Sequence, residues 1–130
     1  MSPSDSDALH ACLDDGHIVV AADGHKFLGL AACRWRTERA FDGWSIIEEF
    51  VVPEAQGRGL GTALQRGLMH LLPRGDLVWG TIHGTNAASL ATAARCGREP
   101  VETWWFVPLG MPNKRTAETT SDQRQRRPTV

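Results

Sequence analysis

Three glycines, Gly57, Gly59 and Gly61, alternate where a strand-like stretch gives way to one with helical periodicity. Glycine adopts positive φ readily and lets a ligand come close to main-chain N–H groups. The first N–H groups of a helix have no partner within the helix and carry a partial positive charge. The spacing therefore predicts a site for an anion, with phosphate groups as the natural ligand.

Two common phosphate-binding motifs do not fit this spacing. A P-loop requires G-x-x-x-x-G-K-[ST], whereas Gly57 and Gly61 are one residue too close and Thr62 follows without a lysine. A dinucleotide site requires G-x-G-x-x-G and an acidic residue at the end of the next strand, whereas Asp76 begins that strand. The remaining pattern is Q-x-x-G-x-G, starting at Gln56.

The predicted strand before this turn carries two carboxylates, Glu48 and Glu49, although both of its faces are otherwise mostly apolar. Strict alternation puts Glu48 on the face of Trp44 and Ile46, and Glu49 on the opposite face. Burial among apolar side chains raises the pKa of a carboxyl group toward the range useful to a general base. We therefore expect Glu48 or Glu49 to be a base; the alternative is one structural ion pair and one solvated carboxylate.

The elements that position these groups alternate between strand and helix patterns, which indicates an α/β fold. Thr37–Gly43 is polar and ends in Asp-Gly, so it is predicted to be a loop. Helices are predicted over Asp7–Gly16, capped by Asp7, over Leu60–Leu72 and over Thr85–Gly97, and strands over His17–Asp23, Lys26–Arg36, Trp44–Pro53, Asp76–Gly84 and, as one or two short segments, Pro100–Gly110.

Amino-acid composition and net charge limit the classes of protein to which the chain can belong. The chain has 130 residues, 42% hydrophobic and 22% charged, which predicts one globular domain over residues 1–110. Residues 111–130 carry an excess of basic side chains and almost nothing to bury, so a disordered basic tail is predicted there. A net charge of -1 argues against nucleic-acid binding, and no apolar run is long enough for a membrane helix.

The cysteines and histidines indicate neither disulfides nor a metal. The 3 cysteines and 5 histidines form no C-x-x-C or H-x-x-x-H pair. The start of the chain lacks the features of a secretory signal. A cytoplasmic protein without a metal cofactor is therefore predicted.

The motif at Gln56, preceded by Val51-Val52-Pro53, resembles that of the GNAT superfamily of acyl-CoA-dependent N-acetyltransferases. In that family Q/R-x-x-G-x-G/A follows the fourth strand and binds the pyrophosphate of coenzyme A. The order of elements over roughly residues 8–108 agrees, including an asparagine, Asn86, at the start of the second helix after the motif and Gly97 at its end. The resemblance implies a mixed, mostly antiparallel sheet with helices on both faces, shortened at the N-terminus by one strand and one helix.

The resemblance also implies acetyl-CoA as cosubstrate and a set of residues that bind it. In the family these groups bind the pyrophosphate, polarise the thioester carbonyl or bind the pantetheine. A simple helix N-cap is the alternative role for Asn86, and a surface cation is the alternative for Arg58. The cofactor-binding positions are Val51, Val52, Gln56, Gly57, Arg58, Gly59, Leu60, Gly61, Thr62, Asn86 and Ser89.

Direct attack of a primary amine on the thioester, within a ternary complex, is the reaction that the resemblance implies. The acceptor would be a small-molecule amine or a protein amine. Many relatives protonate the thiolate with a tyrosine, but that position is Ala93, and Ser89 or a water is the replacement. The alternative is a binding or regulatory module that retains coenzyme A but not efficient catalysis. A homodimer, in which a second subunit completes the acceptor pocket, is a further hypothesis.

Overall fold

A computed structural model of the chain describes residues 3–104, 107, 109, 110 and 126–129. The chain divides into two compact units, residues 1–80 and 81–130, and the fourth strand runs from the first unit into the second. The elements are helices α1 (Pro3–Asp15), α2 (Leu60–His70) and α3 (Ala87–Arg95), a 3-10 turn (Pro53–Ala55), and strands β1 (Gly16–Asp23), β2 (Lys26–Glu38), β3 (Phe41–Val51), β4 (Val78–His83) and β5 (Arg126–Thr129).

The sheet is mixed and mostly antiparallel, as predicted. Strands β1, β2 and β3 pair antiparallel in chain order, and β4 then pairs with β3 in parallel. The parallel pairing joins Trp44 to Val78 and Ser45 to Trp79. In the second unit β5 follows β4 in the strand order. The element order confirms the predicted fold class.

Helices α1 and α2 cover opposite faces of the sheet. Cys33 of β2 packs in the core cluster with Leu64 and Leu68 of α2. The next residue, Arg34, points to the other face and makes an ion pair of 2.6 Å with Asp15 at the end of α1. Because successive side chains of a strand alternate between faces, the two helices lie on either side of β2. No helix among the described residues is long and apolar enough to cross a membrane.

The predicted loop over Thr37–Gly43 is wrong, because β2 and β3 continue as a tight hairpin with only residues 39 and 40 between them. One side chain closes this hairpin: Asp42 Oδ1 accepts hydrogen bonds from Thr37 Oγ1 at 2.6 Å and Trp35 Nε1 at 3.0 Å. Arg39 adopts a positive φ of 53° at the turn. The polar residues that suggested a loop are therefore cross-strand partners.

Other element boundaries also differ from the sequence prediction. Helix α1 begins at Pro3, so Asp7 lies inside the helix and does not cap it. In the described part of residues 100–110, only Pro100 and Trp104 form isolated bridges. Of residues 111–130, the structure describes only β5, and the rest of the predicted tail lies outside the described residues.

Candidate functional site

The glycine turn leads directly into an uncapped helix. Gly57 and Gly59 have φ of 78° and 77°, and Gly59 is the N-cap of α2 with no side-chain hydrogen bond. The first hydrogen bond of the helix runs from the Ala63 N–H to the Gly59 carbonyl at 3.0 Å, which places the N–H groups of Leu60 and Gly61 before the helical ladder. The first turn carries no acidic side chain. These features suit an anion.

The turn has open space where a ligand would approach. A Cβ on Gly57 or Gly59 would have no heavy atom within 4 Å, so only the strain of a positive φ, and no neighbouring atom, opposes a side chain there. The exposed Arg58 side chain lies between the two glycines in sequence and adds a cation. Bare backbone, a positive helix end and a nearby cation are features that suit a phosphate group, the ligand that the glycine spacing predicts.

Gln56 fixes this turn to the strand that precedes it. Its Nε2 donates to the Val51 carbonyl at 3.2 Å, and the neighbouring Ala55 is 1% exposed. The side chain that the sequence assigns to cofactor binding therefore acts on the conformation of the turn. Its contribution to an anion site is through the backbone it positions.

A bulge in β3 changes which faces the two carboxylates occupy. Cys33 pairs with Ile46, but Ala32 pairs with Glu48, so Ile47 is the extra residue. The prediction that Glu48 shares a face with Ile46 is therefore wrong. Glu48 lies on the face of its partner Ala32, opposite α2, and Glu49 lies on the α2 face. The extra residue reverses the alternation that strict strand geometry imposes.

The edge of β3 that faces β4 becomes open after the bulge. The Trp44 N–H donates to the Leu77 carbonyl at 2.8 Å on the β4 side, whereas the Val52 N–H donates to the Leu28 carbonyl at 2.9 Å on the β2 side. Alternation from Val52 back to the bulge turns the N–H groups of Glu49 and Val51 away from β2. In the part of the chain that the structure describes, the β3–β4 ladder ends at Ser45 and Trp79.

The N–H groups of Val51 and Val52, both predicted to bind the cofactor, therefore point to opposite edges of β3. The Val52 N–H is used within the sheet, while the Val51 N–H is at the open edge. The Glu49 N–H joins it there, a donor that sequence reasoning missed because it depends on the bulge. Glu48 Oε1 accepts from this Glu49 N–H at 3.1 Å, so the half-buried Glu48 carboxylate lies at the open edge.

The Glu49 side chain turns away from that edge and beneath α2. Gln65 Nε2 donates a hydrogen bond to Glu49 Oε2, and Gln65 is 2% exposed. Sequence reasoning missed Gln65, although a glutamine three residues before Leu68 on the apolar stripe of a helix is a detectable signal. The hydrogen bond joins α2 to β3 within the core.

The Gln65–Glu49 hydrogen bond gives a test of stability. Gln65→Leu removes the amide donor from a partly buried carboxylate, and we expect it to lower the free energy of unfolding by about 1–3 kcal/mol. The double variant Gln65→Leu with Glu49→Leu replaces both groups by apolar ones and is expected to recover most of that loss. Urea denaturation of the two single variants and the double variant measures this, and a strictly additive loss would contradict the pairing.

Asn86 and Ser89, which were predicted to bind the cofactor, lie at the start of α3 in the second unit. Asn86 is the N-cap of α3, and its Oδ1 accepts from the Ser89 N–H at 3.1 Å. The described contacts thus give Asn86 the capping role that was its alternative. Ala93, at the position where many relatives carry tyrosine, is buried and 1% exposed.

The two cysteines of the first unit are poor nucleophiles. Cys12 and Cys33 are buried. Burial raises the pKa of the Cys33 thiol to about 11 and also raises the pKa of the Cys12 thiol. A thiol attacks as its thiolate, so a raised pKa leaves little reactive form near neutral pH. Neither Cys12 nor Cys33 is therefore suited to act as a nucleophile near neutral pH.

Comparison with known proteins places this arrangement in a family. The sequence model of the GNAT family of acetyltransferases matches residues 2–97, and no curated protein matches. Among solved structures, the ribosomal-protein-S18-alanine N-acetyltransferase from Escherichia coli has a TM-score of 0.65 at 19% identity, covering 89% of this chain and 68% of that chain.

Two Bacillus structures are similar over more of their length. The IAA acetyltransferase from Bacillus cereus has a TM-score of 0.69 at 15% identity, and an acetyltransferase from Bacillus subtilis in complex with CoA has a TM-score of 0.67 at 14% identity. Each alignment covers 98% of this chain and 83% of the other. At these identities the structures show a shared fold, and the match of the family model shows that the chain belongs to the GNAT acetyltransferase family.

Proposed function

We propose that this protein transfers the acetyl group of acetyl-CoA to a primary amine by direct attack within a ternary complex. The observation that carries the proposal is the continuity of one segment, residues 48–61. This segment holds a carboxylate at an open strand edge, two outward backbone donors and an anion-binding helix start. A neighbouring fold solved with CoA supports the choice of cosubstrate.

The pyrophosphate of coenzyme A is assigned to the start of α2. The N–H groups of Leu60 and Gly61 donate to its oxygens, Gly57 and Gly59 allow close approach, and Arg58 supplies a countercharge. The Thr62 hydroxyl lies in the same first turn. Acetyl-CoA supplies the activated acyl group as a thioester. Anchoring at the helix start directs the rest of the molecule along the open edge of β3.

We assign Glu48 as the base from its position, since a general base must first lie within reach of the proton that it accepts. The N–H groups of Glu49 and Val51 point to the open edge of β3, and the Glu49 N–H donates to the Glu48 carboxylate. A thioester carbonyl held by the Glu49 N–H would take the place of Glu48 Oε1. The displaced carboxylate then lies next to the reacting carbon and is able to accept a proton from the attacking amine.

The step balances without a further cofactor. The amine nitrogen forms a bond to the thioester carbonyl carbon, Glu48 takes the proton from nitrogen, and the carbon–sulfur bond breaks. Coenzyme A leaves as a thiolate. The chain contains no tyrosine, so a water molecule is proposed to relay the proton from Glu48 to the thiolate sulfur, which restores the Glu48 carboxylate.

The missing tyrosine also favours a second candidate, an acyl-CoA-binding regulatory module with little or no catalysis. Titration calorimetry with acetyl-CoA and CoA tests what the two candidates share. We expect both ligands to bind with similar affinity, because the pyrophosphate is common to them. Failure of both to bind would reject both candidates. The homodimer stays a prediction, which light scattering of the active protein tests.

A further inference from the structure

An exposed aromatic surface lies on the sheet face opposite α2. The rings of Phe27 and Phe50 stack with centroids 6.4 Å apart and an interplanar angle of 9°. They are 41% and 44% exposed, and Val20 on β1 is 55% exposed. Val20 pairs with Leu30, and Leu30 pairs with Phe50, so Val20, Leu30 and Phe50 form a row across the strands. We call Val20, Phe27 and Phe50 the aromatic platform.

The platform adjoins the carboxylate assigned as the base. Glu48 and Phe50 are two residues apart on β3, beyond the bulge, so their side chains share a face and their Cα atoms are about 7 Å apart along the strand. Phe27 reaches the same face because a second bulge leaves Leu28 unpaired between Phe27 and Gly29. The helix α1 contacts β3, and Ala32, the partner of Glu48, is fully buried. Glu48 thus lies between a covered part of this face and the exposed platform.

The chemistry of this surface suits an amphipathic cation, a molecule that carries both an ammonium group and an apolar group. A carboxylate attracts an ammonium group, and the neighbouring rings and the Val20 side chain gain free energy when an apolar group covers them. Single exposed apolar side chains are ordinary, but a stacked pair extended by a third residue is a recognition surface. A purely hydrophilic or polycationic acceptor would leave the platform in water.

We propose that the aromatic platform binds the acceptor, and that the acceptor is a primary amine carrying an aromatic or aliphatic group. The ammonium faces Glu48, and the apolar group packs on Phe27 and Phe50. This inference rests on the proposed function, in which Glu48 takes the proton of the attacking amine. It adds the substrate class that the family and the fold do not specify.

Three amines provide the test: two that differ in their apolar group and one that is a hydrophilic polycation. At saturating acetyl-CoA, kcat/KM is measured for 2-phenylethylamine, ethylamine and spermidine. We expect 2-phenylethylamine to exceed ethylamine by at least about tenfold, since apolar contacts give discrimination of this order. Phe27→Ala and Phe50→Ala are expected to reduce that ratio by about tenfold while the acetyl-CoA affinity stays unchanged.

A second aromatic pair provides the matched control. Trp35 is 44% exposed and packs edge-on against Trp44 at 5.5 Å, but it lies on the α2 face. Trp35→Ala removes a comparable exposed ring and is expected to leave the amine ratio unchanged. Thermal melting of each variant identifies any loss of fold, and ligand-observed NMR of 2-phenylethylamine tests binding without turnover.

The outcomes separate this inference from the proposed function. The inference alone is overturned if amines are acetylated but Phe27→Ala and Phe50→Ala leave the ratio of kcat/KM for 2-phenylethylamine and ethylamine unchanged. A preference for spermidine overturns it in the same way. A dimer that these variants dissociate, again with an unchanged ratio, overturns it by showing that a second copy covers the platform. No transfer to any amine rejects the proposed function. In that case the platform is still supported as a binding surface if 2-phenylethylamine binds to the wild type and not to Phe50→Ala.

Discussion

Gly61→Glu is expected to weaken acetyl-CoA binding strongly while leaving the fold at least as stable as the wild type. Gly61 lies in the first turn of α2, before the helical ladder begins. A carboxylate there places a negative charge where the pyrophosphate is proposed to bind. Two unit charges about 4 Å apart at an effective dielectric of about 20 repel by about 4 kcal/mol. The expected loss of affinity is therefore on the order of 100- to 1000-fold.

The same substitution is expected to stabilise the helix. Glutamate replaces glycine, which has low helix propensity, and its charge interacts favourably with the positive end of α2. Together these effects are worth about 1 kcal/mol. Titration calorimetry and urea denaturation measure the two quantities on one sample. Their opposite signs distinguish a lost binding site from a damaged fold.

His70→Glu is the matched control for charge. His70 is the last residue of α2 and is exposed, about 14 Å along the helix from Gly61. It adds a carboxylate at the wrong end of the helix dipole, so a small loss of stability is expected with unchanged acetyl-CoA affinity. Equal loss of affinity in both variants would show that net charge, rather than the turn, controls binding.

Glu48→Gln is expected to lower kcat by about 10²- to 10⁴-fold, the range for loss of a general base. The amide keeps an oxygen that can accept from the Glu49 N–H, so the bulge and the acetyl-CoA affinity should persist. Steady-state rates at saturating acetyl-CoA measure the change in kcat, and titration calorimetry measures the acetyl-CoA affinity.

Glu49→Gln decides between the two carboxylates. Its side chain is held beneath α2 by Gln65, so this variant is expected to change kcat far less than Glu48→Gln does. A large loss of kcat in Glu49→Gln, together with little loss in Glu48→Gln, would exchange the two assignments. Equal, small effects would remove the base from the mechanism and leave proton transfer to water.

The glycine turn was predictable because its information is local. Alternating glycines, an apolar stripe at helical spacing and a preceding strand define a helix start without reference to any distant residue. The structure adds Gly59 as the N-cap and the side-chain contact of Gln56 with the Val51 carbonyl. The assignment of Gln56 to the ligand did not foresee this contact.

The faces of the carboxylates were not predictable in the same way. A bulge at Ile47 follows from how β3 pairs with β2, and one extra residue exchanges the faces of every later side chain. The hairpin over Thr37–Gly43 was missed for a related reason, since Asp42 serves as a cross-strand acceptor. Non-local pairing therefore decided the features that position Glu48, Glu49 and the aromatic platform.

The central claim is most directly tested by measuring both products of one reaction. The protein is incubated with acetyl-CoA and 2-phenylethylamine or ethylamine, and acetylated amine and free coenzyme A thiol are quantified together. The mechanism predicts that the two products appear in equal amounts and that Gly61→Glu reduces both in proportion at an acetyl-CoA concentration near the wild-type Kd. Tight binding of acetyl-CoA with neither product, or thiol release without acetylated amine, would contradict it.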